Sequence, residues 1–341
     1  MQSVENELAQ SFLRQYRRTL PHKAQAEIIH FASLASGWES EIFELTLAYQ
    51  EDGARKIADL VLKVVQGEQS RQKATFEYAN IKLLKRAGYP VSGVVQFSAK
   101  DGDLGPYLLM ERIKGQSLKD ALQSVANEAQ RAALFQLFCA LLVQLHGLDW
   151  QPFVTCPALY AQQDLLMSYL STLEAPLHAY QIATFQPVFA CLRKRRQEIR
   201  DAQLVVNHLD FHGENILLRD AATPVVIDWA NLAIADFRLD LAWTCLLETE
   251  WREQLLSTYQ RMTARQVEQF EFFEVIASLR ALITVFFSLN RQATDLGLRS
   301  AVEPFLRRQG AHIQHAYTLL KSRTGIAIIE LEQILERLEK M

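Results

Sequence analysis

The strongest chemical signal in this 341-residue sequence is a group of polar residues between positions 208 and 228. The segment HLDFHGEN occupies residues 208–215 between two apolar runs, and a third apolar run ends in Asp228-Trp229. Charges at the ends of buried strands are costly unless they are paired or used. Asp228 and Asn215 offer the hard oxygen ligands that Mg²⁺ prefers beside phosphate oxygens, and Asp210 could accept a proton from a hydroxyl. These residues predict metal-assisted chemistry on phosphate and hydroxyl groups.

A metal-dependent hydrolase is the rival interpretation of the same segment. His208, Asp210 and His212 could form part of a metal ligand set, which would need further His or carboxylate ligands elsewhere. The remaining histidines form no second cluster along the chain: His22, His30, His146, His178, His312 and His315. The hydrolase stays an alternative, and the first interpretation is favoured.

These motifs resemble those of a known family. HLDFHGENIL followed by IDW is similar to the catalytic and metal motifs of the aminoglycoside phosphotransferase family, the small-molecule branch of the protein-kinase-like fold. The resemblance implies that Asp210 is the catalytic base and that Asn215 and Asp228 bind Mg²⁺. It also implies that Leu217 lies on the floor of an adenine pocket. The implied reaction moves the γ-phosphate of ATP, with GTP as an alternative donor, to a hydroxyl of a small molecule.

A second stretch supports the resemblance and shows where it departs from the family pattern. DFRLDLA, residues 236–242, is similar to the family's Gly-Asp-Pro-x-x-Asp-Leu-Ala stretch, in which Asp240 would brace the catalytic loop. Ala235 replaces the Gly and Phe237 replaces the Pro. Protein kinases usually carry Asp-Phe-Gly, where this chain has Asp-Trp-Ala at 228–230, and they carry an Ala-Pro-Glu segment that this sequence lacks. The differences favour a small-molecule acceptor over a protein substrate.

A kinase-like site also needs a cation on a central strand, paired with an acid on the next helix, to hold the α- and β-phosphates. Lys63 is the lone charge in the apolar stretch 60–65, so it is not a typical surface lysine. Glu77 is the only acid inside the helix predicted over 70–87. Glu77 alone would be interpreted as a solvated helix acid. With Lys63 in place, an ion pair is the better interpretation, because a buried charge left unpaired is costly.

Two further segments resemble nucleotide-binding parts of the family. Ser36 and Gly37, between the first two predicted strands, are similar to its phosphate loop, where backbone N–H groups would approach the phosphates. The segment around Met110 is similar to the hinge between lobes. There the backbone of Glu111 to Ile113 would hydrogen-bond adenine, with Met110 as a gatekeeper-like residue.

The elements that must position these residues differ between the two parts of the chain. After a helical lead-in over 1–27, short β-branched runs alternate with turns, and Asp52-Gly53 predicts a hairpin. Ser70 is a candidate N-cap and Gly88 a candidate stop for the helix that carries Glu77. The predicted elements are strands at 28–34, 41–49 and 57–65, a helix at 70–87, and strands at 94–99 and 107–113.

The remainder of the chain is helical except for strand-like runs within 203–234. Its apolar residues recur with the period of a helix, and helices are predicted near 117–126, 128–147, 161–172, 180–199, 237–260, 264–289, 299–322 and 326–340. The pattern predicts an α+β fold, and the resemblance makes it a protein-kinase-like two-lobed fold. Residues 1–113 would form a nucleotide-binding lobe with a small antiparallel sheet and one helix. Residues 114–341 would form a larger, mainly helical lobe with the catalytic loop and the acceptor site.

Composition and charge exclude several classes of protein. With 49% hydrophobic and 22% charged residues the chain is globular, and its net charge of −3 lacks the basic surplus typical of nucleic-acid binding. No apolar run reaches the roughly 20 residues of a membrane-spanning helix, and the mixed N-terminal segment is not a signal peptide. We therefore expect a cytoplasmic enzyme whose partner is a small molecule, not a nucleic acid or a membrane.

The sequence does not identify the molecule that accepts the phosphate. Six glutamates after the motifs could form an acidic wall for a polycationic aminoglycoside, although Glu-rich amphipathic helices are more often simply solvated. They are Glu248, Glu250, Glu253, Glu268, Glu271 and Glu274. A kinase-like protein that binds nucleotide without turnover is a further alternative, and the complete set of candidate site residues argues against it.

Overall fold

The structure, a computed structural model, describes residues 2–20, 25–36, 40–67, 69–100, 104–200, 202–220, 223–289 and 310–340. These residues form two compact units. The first unit contains the described residues up to Gly115 together with those of Leu218–Ala230. The second unit contains Gln116–Leu217 and the described residues from Asn231 onward.

The first unit is built on a five-stranded antiparallel sheet. Its strands are β1 (Glu27–Ser36), β2 (Ser40–Glu51), β3 (Ala54–Val65), β4 (Val94–Ser98) and β5 (Tyr107–Glu111). They lie in the order β1-β2-β3-β5-β4. The predicted hairpin is confirmed, because Asp52 and Gly53 have positive φ angles of 52° and 76° between the paired residues Glu51 and Ala54. Two successive positive φ angles match the twist of a two-residue hairpin.

Helices cover both faces of this sheet because its central strand is apolar on both sides. Helix α1 (Gln2–Thr19) buries Phe12 in the same core cluster as Leu62 of β3. Successive side chains of a strand point to opposite faces. Lys63 therefore faces the other side of the sheet, where it meets helix α2 (Ser70–Arg86).

The prediction for the start of helix α2 is wrong, and the prediction for its end is confirmed. The assignment of Ser70 as N-cap is wrong: Gln69 occupies that position without a side-chain cap, and Ser70 is the first helical residue. A turn explains the shift, since the Ser70 amide already donates to the Gly67 carbonyl at 3.1 Å. The stop at Gly88 is confirmed, with φ of 76° and an amide that donates to the Lys85 carbonyl at 3.2 Å.

The second unit is mainly helical. Its helices are α3 (Leu118–Ser124), α4 (Glu128–His146), α5 (Pro157–Tyr160), α6 (Leu165–Ala179), α7 (Gln186–Arg195), α8 (Phe237–Leu247), α9 (Arg252–Thr263), α10 (Phe270–Leu289), α11 (Gly310–Thr324) and α12 (Ile329–Lys340). The helix predicted over 237–260 is two helices, because Glu248 leaves the helical conformation and accepts a hydrogen bond from the Gly213 amide at 2.9 Å. The first part of the helix predicted at 299–322 lies outside the described residues.

The described residues also form five short strands: β6 (Gln116–Ser117), β7 (Leu204–Asn207), β8 (Ile216–Leu218), β9 (Pro224–Val226) and β10 (Ala233–Asp236). In the second unit, β7 and β10 pair antiparallel, with Asn207 opposite Ala233. This ribbon is nearly fully buried, and it fixes the point at which the segment 208–215 begins.

Two properties of the whole chain bear on its setting. Among the described residues, no helix combines the length and the apolar character needed to cross a bilayer. All four cysteines are unpaired. Burial raises the pKa of Cys139 and of Cys245 to about 12, whereas Cys156 is exposed.

Candidate active site

Lys63, Glu77 and Asp228 form an ion cluster inside the first unit. The ammonium Nζ of Lys63 lies 2.8 Å from Glu77 Oε1 and 2.8 Å from Asp228 Oδ1. Lys63 and Glu77 are only 6% and 2% exposed, while the Asp228 side chain is 42% exposed. The structure thus brings Lys63 and Glu77 together as the sequence predicts, and it adds a carboxylate from 165 residues further along the chain.

Opposite charges keep Lys63 protonated in this buried position. Burial alone would lower the pKa of a lysine, but the carboxylates of Asp228 and Glu77 raise the pKa of Lys63 above its usual range. Burial also raises the pKa of Glu77, against the opposing effects of the Lys63 ammonium and the Trp229 backbone N–H. Lys63 is therefore a fixed positive charge held between two acids.

A strained segment after β9 presents Asp228 to this cluster. Asp228 has a φ of 65°, in the left-handed region that non-glycine residues seldom adopt. Trp229 anchors the segment: its indole donates to the Val226 carbonyl at 3.1 Å, and its ring packs edge-on against Tyr89 at 5.5 Å between centroids. The Val226 amide donates to the Pro90 carbonyl at 2.8 Å. These contacts offset a strain on the order of 1–3 kcal/mol.

Strand β5 carries two of the predicted hinge residues, Met110 and Glu111, and Ile113 follows two residues after its end. The Glu111 amide donates to the Gly93 carbonyl at 2.8 Å, and the Glu111 carbonyl accepts from the Ser92 hydroxyl at 3.0 Å. The Glu111 amide is thus already bound within the first unit. A carbonyl oxygen has two lone pairs, so the Glu111 carbonyl can accept one more hydrogen bond. Met110 and Ile113 are half-buried on either side of it.

For three other residues predicted to contact the nucleotide, the structure gives at most a position in a strand. Ser36 is the last residue of β1 and lies opposite Glu41 of β2. Gly37 lies outside the described residues. Leu217, in the second unit, is the half-buried middle residue of β8.

In the second unit, Asp240 holds the start of the segment 208–215, here called the aspartate loop. Its fully buried carboxylate accepts hydrogen bonds from the amides of His208 and Leu209 at 2.8 Å each. Leu209 needs this support because its φ of 57° is left-handed. The His146 ring nitrogen Nε2 lies 3.2 Å from Asp240 Oδ2. The predicted bracing role of Asp240 is confirmed by these contacts.

The Asp210 side chain in this loop is ionised and held at both oxygens. Trp243 Nε1 donates to Oδ1 at 3.0 Å, and the Asn215 amide nitrogen donates to Oδ2 at 3.2 Å and to the Asp210 carbonyl at 2.9 Å. Burial would raise its pKa, but His212 first and Arg280 next hold the pKa of Asp210 well below its usual range. The Asp210 side chain keeps 25% exposure.

His212 lies beside both residues. Its Nε2 is 3.8 Å from Asp210 Oδ2 and 3.1 Å from the Asn215 amide nitrogen. Burial lowers the pKa of His212, but the carboxylates around it, led by Asp210, outweigh burial and raise that pKa. The carboxylates around His212 therefore favour its protonated form, and His212 in turn lowers the pKa of Asp210.

A protein-family model ties this geometry to known enzymes. The model of the phosphotransferase enzyme family, APH, matches residues 30–273, which is most of the chain. This protein belongs to the APH phosphotransferase family. It is therefore an enzyme of the phosphotransferase class, and the suspected family is confirmed.

Solved structures of aminoglycoside phosphotransferases share the fold of this APH-family chain. A thermostable mutant of APH(4)-Ia, in ternary complex with AMP-PNP and hygromycin B, has a TM-score of 0.61 at 15% identity, over 91% of this chain and 99% of that one. The aminoglycoside-3′-phosphotransferase of type VIII has a TM-score of 0.54 at 22% identity, over 80% and 98%. APH(2″)-IIa with gentamicin has a TM-score of 0.53 at 16% identity, over 90% and 95%. These matches confirm the predicted kinase-like α+β fold. No curated protein sequence matches this chain.

Each unit carries one of the two predicted Mg²⁺ ligands of this phosphotransferase. In the first unit, Asp228 has a partly exposed carboxylate. In the second unit, the Asn215 amide nitrogen is bound to Asp210, which leaves its amide oxygen as the candidate ligand atom. Mg²⁺ is typically held by one or two protein oxygens, with phosphates and water completing the shell. Within the described ranges, no three His, Cys, Asp or Glu side chains are grouped to hold a metal. Family membership favours phosphoryl transfer over the hydrolase alternative.

Sequence reasoning missed two residues that contact the aspartate loop of this phosphotransferase. Trp243 donates to Asp210, and the Arg280 guanidinium lies over the Trp243 ring at 4.0 Å from its centroid. Arg280 also donates to the Leu209 carbonyl at 2.5 Å and hydrogen-bonds Tyr169. A signal was present: Arg280 is the lone charge in the apolar stretch 275–289, the same pattern that identified Lys63.

Of the six glutamates that could have formed an acidic wall, three have partners inside the second unit. Glu274 is buried and is bound by Arg252 at 2.9 Å and by Arg323 at 3.1 Å. Glu271 pairs with the same Arg323 at 2.7 Å, and Glu248 accepts the Gly213 amide. The other three acids are exposed: Glu250, Glu253 and Glu268. The charge available for a polycation is therefore smaller than the sequence indicates.

Proposed function

We propose that this phosphotransferase moves the γ-phosphoryl group of ATP to a hydroxyl of a small molecule, with Mg²⁺ as the metal. The observation that carries the proposal is the buried Lys63 ammonium between the carboxylates of Glu77 and Asp228. Burying the charges of Lys63 and Glu77 is costly. Kinase-like enzymes use a strand lysine and a helix glutamate in this way to hold nucleotide phosphates.

The first unit would bind the nucleotide. Lys63 would contact the α- and β-phosphates while Glu77 fixes its ammonium. Backbone N–H groups at Ser36 and Gly37 would approach the phosphates. The residues proposed to contact the base are Met110, Glu111, Ile113 and Leu217. GTP remains the alternative donor.

Asp210 would orient the acceptor hydroxyl and take its proton. As the hydroxyl oxygen bonds to the γ-phosphorus, the bond from that phosphorus to the bridging oxygen breaks and ADP leaves. The low pKa of Asp210 keeps it ionised but makes it a weak base. Most of the rate acceleration should therefore come from positioning and from stabilised charge. Asn215 and Asp228 would hold Mg²⁺, which when bound neutralises charge on the phosphate oxygens.

The acceptor class is open to direct test. Relatives of known structure were solved with hygromycin B and with gentamicin, so aminoglycosides are one acceptor class to assay, beside amino alcohols and sugars. We place the reaction in the cytoplasm, because four unpaired cysteines suit a reducing compartment.

A combined binding and transfer experiment tests the proposal. Mg·ATP at 100 times its Kd should stabilise the native protein by about 2.7 kcal/mol through mass action, with a matching rise in Tm. Asp210→Asn should keep that rise and lose turnover by orders of magnitude. A protein with no Tm response to Mg·ATP or Mg·GTP would contradict nucleotide binding. A response with turnover no higher than that of Asp210→Asn would identify the non-catalytic alternative.

A further inference from the structure

Two side chains approach the Asp210 carboxylate from helices that the sequence motifs do not mark. Trp243 lies on α8, about one turn after Asp240, and Arg280 lies on α10. The Trp243 indole donates to Asp210 Oδ1 at 3.0 Å, and the Arg280 guanidinium stacks on the indole ring at 4.0 Å. All of these residues belong to the second unit.

We infer that Trp243 is a positioning residue for Asp210, and that Arg280 in turn positions both Trp243 and the loop before Asp210. The inference rests on the proposed function, because it assumes that Asp210 is the catalytic base. Both residues act through Asp210 and the loop backbone.

The two oxygens of Asp210 explain why an indole donor matters. Rotation of an aspartate carboxylate about its last bond is soft and roughly two-fold. The amide nitrogen of Asn215 binds Oδ2 at 3.2 Å, and a single donor at one oxygen leaves that rotation available. Trp243 binds Oδ1, so donors at both oxygens fix the plane of the carboxylate and the direction of its remaining lone pairs.

Arg280 links Trp243, and through it the plane of the Asp210 carboxylate, to the backbone of the aspartate loop. Its guanidinium donates to the Leu209 carbonyl at 2.5 Å, while Asp240 holds the Leu209 amide at 2.8 Å. The left-handed residue before Asp210 is thus held on both sides. A guanidinium stacked on an indole also fixes the tilt of the ring that carries the donor N–H.

Simple packing of Trp243 is the competing explanation, and Trp243→Phe separates the two. Phenylalanine keeps a flat ring under Arg280 and removes the N–H. Trp251→Phe is the matched control: this second tryptophan of the same unit packs against Phe135 at 5.8 Å and Phe138 at 5.7 Å.

The first test is an NMR measurement on the full-length protein with ¹⁵N-labelled tryptophan. The sequence has five tryptophans, so five indole N–H signals are expected, and Trp243→Phe assigns one of them. A hydrogen bond to a carboxylate is about twice as strong as one to a neutral acceptor. The assigned indole proton should therefore move upfield in Asp210→Asn and also in Arg280→Met. The signal removed by Trp251→Phe should not move in either variant.

The second test measures steady-state Mg·ATP hydrolysis, with water as the acceptor. Trp243→Phe should lower kcat about tenfold, the effect of losing one charge-assisted hydrogen bond, and should leave the KM for Mg·ATP within about twofold. Arg280→Lys, which keeps the charge and loses the planar stack, should fall between Trp243→Phe and the wild type. Trp251→Phe should match the wild type.

The results of these two tests distinguish a failure of the positioning role of Trp243 from a failure of the proposed function. An indole signal that ignores Asp210→Asn, or a Trp243→Phe enzyme with wild-type kcat, overturns the positioning role. A rise in KM at constant kcat also overturns it, because it indicates altered nucleotide binding. A wild-type protein that neither hydrolyses Mg·ATP nor phosphorylates any assayed acceptor, but keeps the indole shift, overturns the proposed function and with it the catalytic meaning of the hydrogen bond.

Discussion

Asp240→Asn is expected to lower the free energy of unfolding of the second unit by about 1.5–3 kcal/mol. The fully buried carboxylate accepts the amides of His208 and Leu209 at 2.8 Å each. Asparagine keeps one acceptor oxygen, so one amide loses a charge-assisted bond worth about 1.5–3 kcal/mol. That amide then faces an NH₂ group and has no acceptor, which places the loss toward the upper end of this range.

Urea denaturation followed by circular dichroism measures this change. Asp120→Asn is the matched control, because Asp120 also lies in the first turn of a helix, α3, but is exposed. Its free energy of unfolding should stay within about 0.5 kcal/mol of the wild type. If Asp240→Asn also stays within about 1 kcal/mol, Asp240 does not brace the loop as the hydrogen bonds indicate.

Three other changes test the remaining parts of the structure. Glu77→Gln leaves Lys63 with one carboxylate partner, so it should destabilise the first unit by about 3 kcal/mol in calorimetry and raise the KM for Mg·ATP. Gly115→Ala would place a Cβ 1.8 Å from a backbone carbonyl oxygen and should lower the Tm, whereas Gly310→Ala, with no atom within 4 Å, should not. In the native protein at pH 8, a thiol reagent should react first with the exposed Cys156, because burial raises the pKa of two other thiols to about 12.

Each of these outcomes has a clear opposite. An unchanged Tm and an unchanged KM in Glu77→Gln would mean that the glutamate does not hold the lysine. A Gly115→Ala protein as stable as Gly310→Ala would contradict the close approach at that glycine. A fast thiol phase that survives Cys156→Ser would show that a second cysteine is accessible.

Local structure is predicted best at positions where the residue type is compatible with few arrangements. A lone lysine in an apolar strand needs an acidic partner because a buried charge is costly when unpaired, and Lys63 is paired with Glu77. Consecutive Asp and Gly have little alternative to a tight turn, and Asp52-Gly53 forms it. The same reasoning, applied to Arg280, would have identified the residue that stacks on Trp243.

Other features depend on partners that are distant in the chain and therefore leave no local pattern. The break at Glu248 follows from its contact with Gly213, which periodicity in the helix does not report. Trp243 has the apolar character of its neighbours, so nothing in the sequence separates a packing indole from one that donates to Asp210. Pairing across many residues is decided by tertiary contacts, not by local propensity.

The division of the chain between the two units has a consequence for its synthesis. The first unit contains residues of Leu218–Ala230 as well as the described residues up to Gly115, so a ribosome must add the intervening helices before that unit has all its parts. Until residue 230 of 341 has emerged, the nascent sheet lacks Asp228 as a counter-ion for Lys63 and lacks the anchor at Trp229. Chains truncated after residue 115 should therefore behave as incomplete folding intermediates that depend on chaperones, and not as an autonomous nucleotide-binding module.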